Sequence, residues 1–168
     1  INDGSVDKTL EKVFFLKLSN NKIFFCNLKI RCGQSQAIFE GVQYSDSLYN
    51  IVIDGDGQID PEDIDKIYIE NVDKLEKNFS LISGIRVDRN DSFIKKISSK
   101  VAFIMRKIIL NDDCMDSSCP LRFFIREDFL KLPYFKNMHR FLPLIFKKEN
   151  FNVYYTPINH KPRFRGKS

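Results

Sequence analysis

The chain has 168 residues, 43% of them hydrophobic and 29% charged, with 27 Lys and Arg against 22 Asp and Glu for a formal charge of +5. With 16 Phe it can bury the core of one domain, and the composition excludes a disordered or collagen-like chain. Lys or Arg interrupts every apolar run, as Arg106 and Lys107 do between Phe103 and Leu110, so no stretch reaches the roughly 18 apolar residues of a membrane span.

Asn2-Asp3-Gly4-Ser5 is turn chemistry, and Ser5 to Asp7 can cap a helix running through Leu18, with Leu10, Val13, Phe14 and Leu18 on one face. Residues 22–30 read as a strand and 33–44 as a helix. Residues 49–53, Tyr-Asn-Ile-Val-Ile, form a short apolar strand that runs straight into an acidic turn. Pro61 opens a helix through about residue 75. A strand over 79–85 follows, then a long amphipathic helix over 91–110, basic on one side through Lys95, Lys96, Lys100, Arg106 and Lys107. That helix suits a membrane interface, and equally a buried face opposite a solvated one. A strand over 121–125, a helical stretch from 127 past 147, and a strand over 153–158 complete the series. Strands alternating with helices predict an α/β fold with a mostly parallel sheet flanked by helices, one domain over 1–168. Phe123, Phe124, Phe129, Phe135, Phe141 and Phe146 are expected in its core.

Cys26, Cys32, Cys114 and Cys119 contain no CxxC pair, and only His139 and His160 could complete a zinc set. They read as reduced, buried fillers of an intracellular protein. The stretch from His160 to Lys167 is basic and without acids, and is expected to attract phosphate, nucleic acid or an acidic membrane surface, or to be a solvated tail. A nucleic-acid domain would want an aromatic and basic strand face, whereas these Phe residues read as buried, so no nucleic-acid partner is expected.

Asp54-Gly55-Asp56-Gly57-Gln58 closes the apolar strand, where open α/β sheets place ligands. Two carboxylates two residues apart, beside glycines, make a hard-cation site that suits Mg²⁺ or Mn²⁺ when a diphosphate supplies further oxygens. A competing reading overlays residues 54–63 on a calcium-binding EF-hand loop from its third position onward, although Val52 would be its first ligand and a strand leads in.

Several ordered segments resemble family 2 glycosyltransferases of the dolichyl-phosphate mannose synthase type and their polyprenyl-phosphate relatives. Ile1 to Thr9 resembles the hydrophobic-(D/N)-D-G-S-x-D-x-T motif, Gly33-Gln34-Ser35-Gln36-Ala37 with Gly41 the G-Q-S-x-A-x-x-x-G segment, and Asp54 to Pro61 the D-x-D-x-Q-x-x-P motif. Ser83-Gly84-Ile85-Arg86 with Arg89, Asp91 and Ser99 is similar to G-x-R-x-x-R-x-D…S, and Asn159 to Ser168 to N-H-x-P-R-x-x-G-x-S. Asp116 to Arg122 and Met138 to Pro143 resemble two further motifs. The likeness covers essentially the whole chain.

The resemblance implies a GT-A, Rossmann-like fold, a UDP- or GDP-linked sugar donor, a divalent metal, a polyprenyl-phosphate acceptor and a place at the cytoplasmic side of a membrane. Carried over residue by residue, Asp54, Asp56 and Gln58 surround the metal. Asp3, Gly4, Ser5, Gln34 and Asp54 bind the donor nucleotide. Arg86, Lys95, Ser99 and Arg163 hold the acceptor phosphate. From their own chemistry Asp54, Asp56 and Asp116 are the catalytic candidates, Asp116 to orient the nucleophile or sugar. Lys95 stands where the family carries Arg, a point charge in place of a bidentate clamp, and Arg31-Cys32 replaces an Asn-containing pair. The family begins one strand earlier and continues past G-x-S, often into membrane helices. The 168 residues therefore read as a portion truncated at both ends, expected to be inactive alone.

Overall fold

A computed structural model of the chain describes residues 1–70, 79–87, 93–159 and 161, apart from the side chains of 70, 93–97 and 99. It comprises two compact units, Ile1–Ser47 with Pro133–Arg140, and Leu48–Leu132 with Phe141–Ser168.

In the first unit β1 (Asn2–Asp3) runs parallel to β2 (Asn27–Leu28), with Asn2 opposite Asn27 and Asp3 opposite Leu28. The strand expected over 22–30 shrinks to two residues because β1 offers only two partners. Helix α1 (Thr9–Ser19) lies between these strands, its first turn met by the Asp7 carboxylate, which accepts the Thr9 N–H at 3.0 Å. Its expected apolar face is not packed away: Phe14 and Leu18 are exposed and Leu10 and Val13 half-buried. Helix α2 (Gln34–Tyr44) approaches the first strand closely, since a Cβ at Gly41 would fall 2.9 Å from Ile1 Cγ1.

The second unit contains, in chain order, β3 (Tyr49–Val52), α3 (Pro61–Glu70), β4 (Leu81–Arg86), α4 (Phe93–Leu110), β5 (Arg122–Ile125), α5 (Arg126–Leu130), α6 (Leu142–Lys148) and β6 (Val153–Ile158). Its sheet has the order β3-β5-β4-β6. The α/β layering is as expected, but the sheet is mixed: β5 is antiparallel to both β3 and β4, and β6 is parallel to β4. After α4, residues 111–121 return the chain to the edge where β4 ends, so β5 starts there and runs against both neighbours; Arg122 pairs with Val52 and Ser83. The continuous helix expected from 127 past 147 is instead α5, a 3-10 turn (Met138–Phe141) and α6, broken at Pro133 and at Asn137 with its φ of 68°.

Alternation along β5 sends side chains to both faces of the sheet. Phe123 joins Ile59, Ile67, Phe79, Ile82, Leu121 and Ile158 on one side. Phe124 stacks on Phe129 at 4.8 Å and meets Phe146 on the other. Four of the six expected core phenylalanines are thus buried, while Phe135 is exposed and Phe141 half-buried. Of the thiols, Cys114 and Cys119 are buried, Cys26 half-buried and Cys32 exposed; all four are free. The filler role therefore holds only for the pair at the sheet. No helix among the described residues is long and apolar enough to cross a membrane.

Candidate active site

In the first unit Asp3 folds the chain onto the start of α2. Its Oδ1 accepts the Cys32 N–H at 2.6 Å and its Oδ2 the Gly33 N–H at 2.8 Å. Gly4 has φ +66° and a Cβ there would lie 2.9 Å from Arg31 N, so only glycine allows this approach. Ser5 is exposed, as is Gln34 at the first position of α2. The next residue, Ser35, is buried; its Oγ lies 2.8 Å from His139 Nδ1 and accepts the His139 N–H at 3.3 Å. This Ser35–His139 pairing, 104 residues apart, joins two motif segments that gave no sign of meeting in the sequence.

In the second unit β3 and β4 both run against β5, and β6 runs with β4, so β3, β4 and β6 all end at one edge of the sheet. The acidic turn follows β3. There Asp56 Oδ1 accepts the Gln58 N–H at 3.1 Å, and Gly57 takes φ +74°, a tight turn in which Asp54, Asp56 and Gln58 are half-buried and Gly55 and Gly57 exposed. Gln58 gives its side-chain Nε2 to the Lys161 carbonyl at 3.1 Å and receives the Lys161 N–H on its own carbonyl at 2.9 Å. Lys161 Nζ also pairs with Asp60. That cation, and next the Glu62 N–H, hold the Asp60 carboxyl below its usual range, while Asp60 raises Lys161 in turn. Buried Asp63 accepts from Asn159, the backbone N–H at 3.2 Å and Nδ2 at 3.4 Å. Asn159 and Lys161, which follow β6, are therefore stitched to the turn that leaves β3. Sequence reading missed this role of Asn159 and Lys161, although both stood inside a quoted motif.

At the end of β4, Arg86 meets Asp116 from the segment before β5. Arg86 Nε donates to Oδ2 at 2.7 Å, Nη2 to Oδ1 at 2.6 Å and the backbone N–H to Oδ2 at 3.2 Å; Nη2 also donates to Ser118 Oγ at 2.6 Å. The two side chains are 12% and 4% exposed, so Arg86 is no loose surface arginine. Asp116 accordingly orients an arginine. Lys95 and Ser99 belong to α4, but their side chains lie outside the described residues, as do Arg89, Asp91, His160 and Arg163 entirely.

The donors at the turn are hard oxygens: two carboxylates and the Oε1 end of the Gln58 amide. Among the described residues no group of three His, Cys, Asp or Glu side chains gathers that could hold a metal. A set this small fits Mg²⁺ or Mn²⁺ completed by diphosphate and water, and falls short of the six to eight oxygens that Ca²⁺ takes. The calcium-loop reading also loses its later ligands, because Asp60 and Asp63 are engaged by Lys161, Asn159 and, at 3.5 Å, Lys66. A strand, β3, leads in where that loop needs a helix.

The model of the family described as Glycosyl transferase family 2 matches residues 1–132. The chain belongs to that family. It is 24% identical over its whole length to an uncharacterised glycosyltransferase of Synechocystis sp., covering 52% of that relative. Over 146 residues it is 25% identical to an undecaprenyl-phosphate 4-deoxy-4-formamido-L-arabinose transferase of Pectobacterium carotovorum, covering 86% of this chain and 43% of that one. The chain thus spans about half the length of these family members. Glucosyl-3-phosphoglycerate synthase of Mycobacterium tuberculosis, solved with Mn²⁺, UDP-glucose and phosphoglyceric acid, superposes with a TM-score of 0.66 over 98% of this chain and 59% of its own, at 11% identity. A second structure of that enzyme, with Mg²⁺ and UDP, gives 0.65 over 98% of this chain and 59% of its own, at 12% identity. These likenesses establish the GT-A fold of the family.

Proposed function

We propose that this chain is part of a metal-dependent, inverting glycosyltransferase of the dolichyl-phosphate mannose synthase type, moving a sugar from a nucleotide-sugar to a polyprenyl phosphate at a membrane surface. The observation that carries the reading is the convergence on one end of the sheet of the acidic turn after β3, Arg86 at the end of β4, and Asn159 and Lys161 after β6. The structural neighbours' complexes, one with Mn²⁺ and UDP-glucose and one with Mg²⁺ and UDP, support a divalent metal and a nucleotide-sugar. The name of the Pectobacterium relative supports a lipid phosphate as acceptor.

Asp54, Asp56 and Gln58 would hold Mg²⁺ or Mn²⁺, which when bound supplies charge neutralisation to the leaving diphosphate. Asp3, Gly4, Ser5 and Gln34 are assigned to the donor nucleotide. Arg86, Lys95, Ser99 and Arg163 are assigned to the acceptor phosphate, which is ionised at neutral pH and needs no strong base. One of its oxygens attacks the anomeric carbon as the bond from that carbon to the nucleotide diphosphate breaks, so a single displacement inverts the centre. The arginines offset repulsion between the two phosphate groups, and positioning dominates the rate. Asp116, by fixing Arg86 at two nitrogens, positions that phosphate indirectly.

The test is transfer from radiolabelled UDP- and GDP-sugars to a polyprenyl phosphate by the complete gene product, with and without Mn²⁺. Asp56→Ala is expected to abolish metal-dependent transfer. Full retention of rate by that variant would refute the reading.

A further inference from the structure

Helix α4 carries a charge on the side it turns to the protein. With about 100° per residue, Phe103, Arg106 and Leu110 share one side, and these are the half-buried positions of its second half. Between two apolar residues a guanidinium is costly to bury unless its N–H groups are met. One short stretch of chain meets them. Arg106 Nη2 donates to the Cys114 carbonyl at 3.1 Å, Nη1 to Ser117 Oγ, and Nε lies 3.6 Å from Asp112 Oδ2. Asn111, with φ 54°, ends the helix and reverses the chain, and the Asp112 N–H turns back to the Arg106 carbonyl at 3.4 Å. From there Asp112, Cys114 and Asp116 are buried while Asp113 and Met115 are exposed. The alternation brings one buried carboxylate to Arg106 and the other to Arg86.

Ser117 is the joint between them. Its Oγ accepts from Arg106 Nη1, and its carbonyl accepts from Arg122 Nη2 at 3.0 Å. Its two chain neighbours are the residues that hold Arg86. Asp116 takes Nε and Nη2, and Ser118 Oγ accepts from Nη2 at 2.6 Å while donating its own proton to Asp116 Oδ1 at 3.2 Å. Arg106, Arg86 and Arg122, from α4, β4 and β5, thus converge on residues 112–118. A guanidinium meets its acceptors from a rigid planar fork, so a displacement of Arg106 moves Ser117, and with it the carboxylate and hydroxyl that aim Arg86. We propose, resting on the acceptor assignment of Arg86 above, that Arg106 is a positioning residue for the acceptor phosphate, acting through Ser117 on the aim of the Arg86 guanidinium. A charge set at an inward position of α4 then has a use in the reaction besides fastening the helix.

Arg106→Lys keeps the charge and replaces the fork by a single point that cannot serve all three partners. Ser117→Ala removes one of those partners and leaves the Asp112 pair in place. In the complete gene product, with a polyprenyl phosphate as acceptor, Arg106→Lys is expected to raise the acceptor KM about tenfold and Ser117→Ala about threefold, with kcat and the nucleotide-sugar KM within about twofold of the parent. The double change should be no worse than Arg106→Lys alone, because both act on one path. Independently of transfer, the Arg86 Nε–H of the full chain, followed by proton exchange in nitrogen-edited NMR, should exchange about fivefold faster in both variants. Should Arg106→Lys misfold, Ser117→Ala carries the test. Equal rises in both KM values, a fall in kcat alone, or a heat-labile variant with the parent's KM values would each overturn the proposal. A parent that transfers to no polyprenyl phosphate removes the acceptor reading, whereas an Arg86 Nε–H indifferent to both substitutions removes the coupling alone.

Discussion

Asp116 grips Arg86 at both ends of its carboxylate, Oδ2 on Nε at 2.7 Å and Oδ1 on Nη2 at 2.6 Å, across 30 residues of sequence. Deleting one partner of a buried pair strands the other charge away from water. Asp116→Ala is therefore expected to cost about 3 kcal/mol or more in urea unfolding, and Asp116→Asn less, since an amide oxygen still accepts. In the complete enzyme the same variants should raise the acceptor KM more than they lower kcat. Equal stability of Asp116→Ala and the parent would show that the pair does not form.

Gly84 sits two residues before Arg86 on β4, where an added Cβ would lie 2.9 Å from Cys119 Sγ and 3.0 Å from Ile158 Cδ1. Gly84→Ala should destabilise by about 1–3 kcal/mol through overpacking. Adding Cys119→Ala removes the nearest atom and should recover part of that loss, a coupling that a double-mutant cycle in urea reads directly. Strict additivity of the two changes would contradict the packing described.

Burial raises the thiols of Cys114 and Cys119, so both remain protonated through neutral pH and are shielded as well. Cys32 is exposed. Alkylation with iodoacetamide at pH 8, followed by peptide mass mapping, should modify Cys32 first and the buried pair only on unfolding. Early labelling of Cys119 would mean that the sheet edge opens readily.

The Asp60–Lys161 tie has a pH window with two sides. Asp60 is held below the usual 3.8 by Lys161, so its contribution is present above that value and is lost as pH falls through the lowered one. Lys161 is held above the usual 10.5 by Asp60, so its contribution is present below 10.5 and is lost as pH rises past the raised value. Protection of the Lys161 amide against hydrogen exchange, corrected for intrinsic rate, should be level across neutral pH and fall outside that window. Carbon NMR placing the Asp60 titration at or above 3.8 would remove the tie.

Much of this was legible in the residues because local rules decide it. The strand at residues 153–158 is reproduced residue for residue, and the apolar run closing on Asp54 gave β3 and its turn, since period and punctuation act over a few positions. Partners distant in sequence were not legible. Nothing near Asp116 announces that its carboxylate belongs to Arg86, and nothing near Gln58 announces Lys161, which lies 103 residues away. The direction of β5 was missed for the same reason, because the return of residues 111–121 is set by where Arg106 and Asp116 find partners. The long helix after residue 127 failed on a local rule that was given too little weight, the proline at 133 within an otherwise helical pattern.

The placement of β5 between β3 and β4 also governs how this unit can come into being on the ribosome. The acidic turn and Arg86 ride on strands that do not touch one another, and each waits for a partner made later: β3 for residues 122–125, and one side of β4 for 153–158. A nascent chain that has emerged only as far as α4 presents β3 and β4 without their sheet partners. The slow step of its folding is then expected to be the docking of β5 between them, and chaperone demand should peak just before it.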